Sequence, residues 1–314
     1  MVSSSAWPGF FLHDYVKTAE SGIRAVLMVI QVSGSRLRTE MHAEFIEHQT
    51  SLIHYHFVDR GHRLIVCFHG YDENGLSFDI MKEVLPASCS LLAIDLPHHG
   101  KTNWDDSARF DVTILWDLIS SICKKHGRTN GRIELAGFSM GGRIALSLLD
   151  YQPEHIDRMI LLAPDGLRSN YWYWISTSTI VGRRIFAITV KNPGWLLFTL
   201  RVANKLKIIN PAVFKFSWFY LKEAGTRNML YKRWMAMRWM RPDIKKIKQH
   251  IHNRDIPVLL IYGAYDRIMP AETGLAFCRD THDLCKVELL PCGHQIMQLK
   301  NKKNLSKIFR RLRF

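Results

Sequence analysis

Short, uninterrupted apolar runs recur along this chain, separated by stretches with helical periodicity. Residues 63–68 (RLIVCF), 90–95 (SLLAID), 158–163 (RMILLA) and 257–262 (PVLLIY) have no polar alternation, and residues 132–136 read as a further strand among them. Runs of that length suit strands covered on both faces, as in a parallel sheet. Ahead of them, residues 43–48 and 51–59 read as a leading hairpin, with Gly61 closing the turn that follows. Between the strands, residues 78–85 form a plausible helix stopped by Pro86. Apolar residues at 112, 115, 116, 119 and 122 make a helical stripe over 111–126, ended by Gly127. A helix over 143–151 runs up to Pro153, another covers 271–279, a last strand covers 286–290, and a closing helix spans 302–313. Strands alternating with helices in this way predict an α/β architecture, a mostly parallel central sheet with helices on both faces.

Two segments stand outside that alternation. The connection between the strands ending at Ala163 and beginning at Pro257 is far too long for one loop, which predicts a small helical subdomain over residues 167–254, inserted after the sixth strand. Residues 1–40 show neither clean periodicity nor turn logic, and patterned sequence starts just after Met41. This predicts either that Met41 is the natural start or that residues 1–40 form a poorly ordered extension. The apolar run at 25–32 lacks a small-residue cleavage site, which argues against a signal peptide, and no apolar run approaches the length of a membrane span. The core is therefore expected at 41–166 and 255–314.

Charge separates the same segments. Net charge is +15, yet residues 167–254 carry 18 Lys and Arg against 2 acidic residues, and residues 300–314 carry 7 basic residues and none acidic. What is left is mildly acidic, so the basicity belongs to the insert and the terminal helix and bears on partners rather than on fold. Six cysteines at 67, 89, 123, 278, 285 and 292 include no C-x-x-C pair, and Cys67 and Cys89 fall within strand-like runs. Free thiols in a reducing, cytoplasmic compartment are the expectation, rather than disulfides or zinc.

The chemistry centres on residues 133–143, IELAGFSMGGR. Ser139 is flanked by Gly137 and Gly141, with an apolar strand before it and a helix after it. G-x-S-x-G in this setting is a nucleophile elbow, a sharp strand-to-helix turn that pushes the serine hydroxyl clear of the sheet. A serine nucleophile needs a base, and the base an orienting carboxylate. Asp266 follows a buried strand on a tight turn, and His294 follows the last strand. Asp165, in Ala163-Pro164-Asp165-Gly166, also follows a strand at the correct edge and is the rival to Asp266 for the acid. His98 and His99 lack a carboxylate at ligand spacing, so neither a metal nor another cofactor is expected. His69 reads as a turn residue that hydrogen-bonds locally, and Asp95, at a strand end, as structural.

These motifs together resemble the α/β-hydrolase superfamily from about Arg63 onward. His69-Gly70 is similar to its HG turn, and residues 95–102 (DLPHHGKT) resemble its D-x-P-G-H-G-x-S segment, with His98 in place of glycine and Thr102 in place of serine. Residues 137–142 match its elbow, residues 263–270 its G-x-x-D-x-x-x-P acid turn, and Gly293-His294 its GH turn. The resemblance implies Ser139 as nucleophile, His294 as general base and then acid, and Asp266 as the group that fixes the imidazole. It also implies an oxyanion hole made by the backbone N–H groups of Tyr71 and Met140.

The substrate is less constrained. Residues 167–254 hold 15 of the 35 aromatic residues, among them Trp172, Trp174, Trp195, Trp218, Trp234 and Trp239. As a lid, such rings suit an apolar acyl or aryl ester, lipid included. The mixture of rings with Lys and Arg also fits peripheral contact with an anionic membrane. No nucleic-acid recognition motif is present, so none is expected as a partner. Three readings follow: a serine ester hydrolase; a lyase similar to the menaquinone-pathway synthase that eliminates pyruvate, suggested by Ser-Met-Gly-Gly-Arg and residues 99–102; and a non-catalytic binding protein. Dehalogenase and epoxide hydrolase chemistry would need an aspartate where Ser139 stands.

Overall fold

The computed structural model describes residues 40–312 apart from 130, 169 and 210. The expectation for the first forty residues thus lies, but for the last of them, outside the described part. The leading hairpin is β1 (His42–His48) and β2 (Ser51–Val58), paired antiparallel. The chain then runs through β3 (Arg63–Phe68), α1 (Asp79–Val84), β4 (Cys89–Ile94), α2 (Val112–Lys125), β5 (Ile133–Phe138), α3 (Met140–Tyr151) and β6 (Ile156–Leu162). Helices α4 (Tyr171–Ser178), α5 (Ile180–Lys191), α6 (Gly194–Lys205), α7 (Pro211–Lys222), α8 (Ala224–Met237) and α9 (Ile244–Asn253) follow before the sheet resumes. It closes with β7 (Val258–Gly263), α10 (Ala271–Cys278), β8 (Cys285–Leu290) and α11 (Lys302–Arg311).

Among the described residues the strands form one eight-stranded sheet in the order β1-β2-β4-β3-β5-β6-β7-β8. From β4 to β8 every neighbouring pair is parallel. Every residue of β4, β5 and β7 is buried, so alternate side chains are covered on both faces, and the charged Glu134 of β5 is paired with Arg63 of β3 at 2.6 Å. Local signals explain the helix limits. The Asp111 carboxylate accepts from the amides of Thr113 and Ile114 at the start of α2, and Gly127, at φ 69°, takes the left-handed turn just beyond its end.

One expectation is corrected. Cys278 and Cys285 form a disulfide across the loop from α10 to β8, whereas Cys67, Cys89, Cys123 and Cys292 are free and buried. The two paired residues end one element and begin the next, which sets their Cα atoms 5.2 Å apart. No helix among the described residues is long and apolar enough to cross a membrane.

Candidate active site

Parallel strands point the same way, so the loops after β3, β5, β6, β7 and β8 gather at one edge of the sheet. Ser139 sits between β5 and α3 at φ 49°, a left-handed conformation that costs a residue with a Cβ about 1–3 kcal/mol. Close packing holds it there. A Cβ on Gly137 would lie 2.5 Å from the Gly141 carbonyl oxygen, and one on Gly141 would lie 1.8 Å from the Phe68 carbonyl oxygen. The first turn of α3 therefore rests directly on the end of β3. Gly141→Ala is expected to force these backbones apart and to cost about 3 kcal/mol of stability, which thermal denaturation checks.

The structure brings Ser139, His294 and Asp266 into one hydrogen-bonded chain. Ser139 Oγ lies 3.0 Å from His294 Nε2, and His294 Nδ1 lies 2.7 Å from Asp266 Oδ2. Burial pushes the Asp266 carboxyl up. The hydrogen bond from His294 and the amides of Met269 and Ile268 outweigh it and hold the group below its ordinary value. An ionised carboxylate can only accept, so the imidazole proton sits on Nδ1 and Nε2 is left to accept from the serine hydroxyl. This is the tautomer that proton abstraction from Ser139 demands.

Asp165 is not brought to His294. Its carboxylate forms an ion pair with Arg143 of α3 and accepts from the Gly166 amide at 2.7 Å, while its own amide donates to the Ser139 carbonyl at 2.8 Å. It braces the elbow from behind. Met140 is the first residue of α3, where an amide has no acceptor within the helix. His69 ties two loops together: Nδ1 donates to the Gly70 carbonyl (2.8 Å) and Nε2 accepts from the Leu96 amide (3.1 Å). Burial lowers its pKa to about 4, so the ring is neutral and serves both bonds at once.

The two departures noted in residues 95–102 find physical explanations. His98 adopts φ 62°, the conformation that suits the family's glycine. Thr102 donates its hydroxyl to the Asp95 carbonyl (2.6 Å) and accepts from the His54 amide (3.0 Å), both within reach of serine. Asp95 fixes its turn: it accepts from the amides of Gly75 (2.7 Å) and Lys101 (2.9 Å) and from His54 Nδ1 (2.7 Å). His54, His56 and Asp95 thus cluster, but the carboxylate is already spent on holding backbone.

Contacts of Glu73, Arg233 and Tyr220 at the Tyr71 turn had no signal in the sequence. The Glu73 carboxylate accepts from the Gly70 amide at 3.3 Å. Arg233, from α8, donates through Nη1 to Asp72 (2.6 Å) and through Nε to the His98 carbonyl (3.0 Å), and its guanidinium lies 5.2 Å from the centre of the Tyr71 ring. From α7, Tyr220 meets the same ring edge-to-face at 5.1 Å. The helical insert is therefore bonded to the turn that carries Tyr71.

The family model described as serine aminopeptidase, S33, matches residues 59–298. The uncharacterized hydrolase YugF of Bacillus subtilis is 24% identical over 247 residues, covering 77% of this chain and 86% of that one. A pimeloyl-[acyl-carrier protein] methyl ester esterase of Neisseria meningitidis is 26% identical over 225 residues, covering 67% and 78%. Among solved structures, a thermophilic esterase from Thermogutta terrifontis superposes with a TM-score of 0.59 at 18% identity, over 87% of this chain and 98% of that one. That last likeness speaks for the fold. The fold, the elbow and the family match lead to one assignment: the chain belongs to the serine aminopeptidase S33 family and is an enzyme of the α/β-hydrolase superfamily.

Proposed function

We propose that this protein hydrolyses a carboxylic ester with a hydrophobic acyl or aryl group, through an acyl-enzyme on Ser139. His294 takes the hydroxyl proton through Nε2 as Ser139 Oγ attacks the carbonyl carbon, and then delivers that proton to the departing alcohol. Asp266 keeps the imidazole in the required tautomer and stabilises it once charged. The amides of Tyr71 and Met140 hold the oxyanion, each worth about 3 kcal/mol of transition-state stabilisation. Water then repeats the sequence against the acyl ester and frees Ser139. The observation that carries this reading is the chain from Ser139 through His294 to Asp266, at 3.0 and 2.7 Å. The contacts of α7 and α8 with the Tyr71 turn support a lid role for the insert at 167–254.

One observation favours a second reading, the pyruvate-eliminating lyase. A putative 2-succinyl-6-hydroxy-2,4-cyclohexadiene-1-carboxylate synthase of Bacillus subtilis is 32% identical over 101 residues, 31% of this chain and 35% of that one. A series of p-nitrophenyl esters of rising acyl length separates the two. Turnover that peaks at a medium or long acyl chain is the expected result. No turnover of any ester, in protein whose Ser139 still reacts with a fluorophosphonate, would overturn the ester-hydrolase reading in favour of the lyase.

A further inference from the structure

The surface of the insert differs from the rest of the molecule. Of the 24 large hydrophobic residues exposed among the described residues, 14 fall between Tyr171 and Phe219. Trp172 is 80% exposed and Phe198 65%. Helix α6 (GWLLFTLRVANK) has no buried residue at all despite its composition. The exposed residues form helical stripes. Val181, Ile185 and Ile188 follow the i, i+4, i+7 pattern on α5, and Trp195, Phe198 and Val202 follow i, i+3, i+7 on α6. Together the fourteen side chains expose on the order of 1,500 Å², on helices that pack in sequence, α4 on α5, α5 on α6 and α6 on α7.

Charge selects what covers this surface. Residues 167–222 contain nine Lys and Arg and no Asp or Glu. Arg184, Lys191, Arg201, Lys205 and Lys207 are all exposed on or beside the apolar stripes. A second copy of the chain would set this basic face against an identical one, and like charges would oppose the contact. Residues 1–39 carry four basic residues against two acidic and offer no complement either. An anionic bilayer offers both requirements: headgroups for the cations, and an interface where Trp and Phe rest at the acyl boundary.

We propose that α4–α7 form a docking surface for an anionic lipid bilayer, with Trp172, Trp195 and Phe198 entering the interface and the flanking Arg and Lys residues contacting its phosphates. The inference stands on this surface and does not rest on the proposed chemistry. The full-length chain is incubated with vesicles of phosphatidylcholine, alone or mixed with phosphatidylserine, and bound protein is measured by flotation. Binding to the mixed vesicles is expected to exceed binding to the neutral ones by on the order of tenfold or more, and to fall as salt is raised. Two variants separate the contributions. Trp172→Ser/Trp195→Ser/Phe198→Ser removes insertion, and Arg184→Glu/Lys205→Glu/Lys207→Glu removes attraction. Each is expected to lose binding by about tenfold or more with its unfolding temperature kept, because all six residues are exposed. Absence of binding to anionic vesicles at low salt overturns the proposal, as does equal binding to both vesicle types. A dimer in sedimentation analysis that the Ser variant dissolves, without vesicle binding, also overturns it and assigns the face to a second copy.

Discussion

Replacing Ser139 with alanine is expected to lower ester turnover by on the order of a millionfold and to abolish covalent labelling by a fluorophosphonate. The substitution removes an oxygen placed to attack a carbonyl with its proton already directed at a base, 3.0 Å away at His294 Nε2. What survives is binding and oxyanion stabilisation, which alone give about 10³–10⁴-fold over water in enzymes of this kind. Folding should be nearly unaffected, since among the described residues the hydroxyl's hydrogen bond is to His294, and alanine meets the same φ of 49° with a similar cost. Turnover kinetics, intact-mass labelling and thermal denaturation of one preparation measure all three. Undiminished labelling of Ser139→Ala would place the nucleophile elsewhere.

Asp266→Asn and Asp165→Asn are expected to diverge sharply, although both carboxylates follow strands at the same sheet edge. An amide at 266 can present its NH₂ group to Nδ1, which favours the tautomer whose Nε2 carries the proton and cannot receive one from Ser139. Turnover should fall by about 10⁴-fold. The amides of Ile268 and Met269 still find an acceptor in the asparagine oxygen, so the turn is retained. Asp165→Asn leaves the imidazole untouched and weakens a largely buried ion pair with Arg143, whose guanidinium also lies 4.1 Å from the Tyr173 ring centre. Stability is expected to fall by about 1–3 kcal/mol with turnover within an order of magnitude of the parent. Measured kcat and denaturant midpoints for both variants decide the assignment; equal losses of kcat would refute it.

Much of the fold was written in local pattern. Apolar runs such as residues 63–68 and 257–262 have one stable use, a strand covered on both faces, and Gly127 and Pro86 mark ends that any reader of backbone sterics would place within a residue or two. The elbow was legible for the same reason: Gly137 and Gly141 are there because neighbouring backbone leaves no room for a Cβ. The choice between Asp165 and Asp266 was harder, because both lie on tight turns after strands and only the path of the chain decides which faces His294. Arg233 and Glu73 were not legible at all. Their partners are a carboxylate 161 residues away and a backbone amide on the same turn, contacts that carry no periodicity. The Cys278–Cys285 bond was missed because its pairing depends on how α10 hands over to β8, and spacing alone did not reveal it. Likewise, composition showed that the insert was aromatic and basic, but only the packing of α5 and α6 shows that so many of their apolar residues stay in solvent.

The central claim is that Ser139, His294 and Asp266 act on a carbonyl held by the Tyr71 and Met140 amides. A crystal structure of the enzyme after reaction with an alkyl fluorophosphonate tests it most directly. The expected density joins phosphorus to Ser139 Oγ, with the phosphonyl oxygen within hydrogen-bonding distance of both amides and His294 still bonded to Asp266. Phosphorus on any other side chain, or a phosphonyl oxygen turned away from both amides, would contradict it.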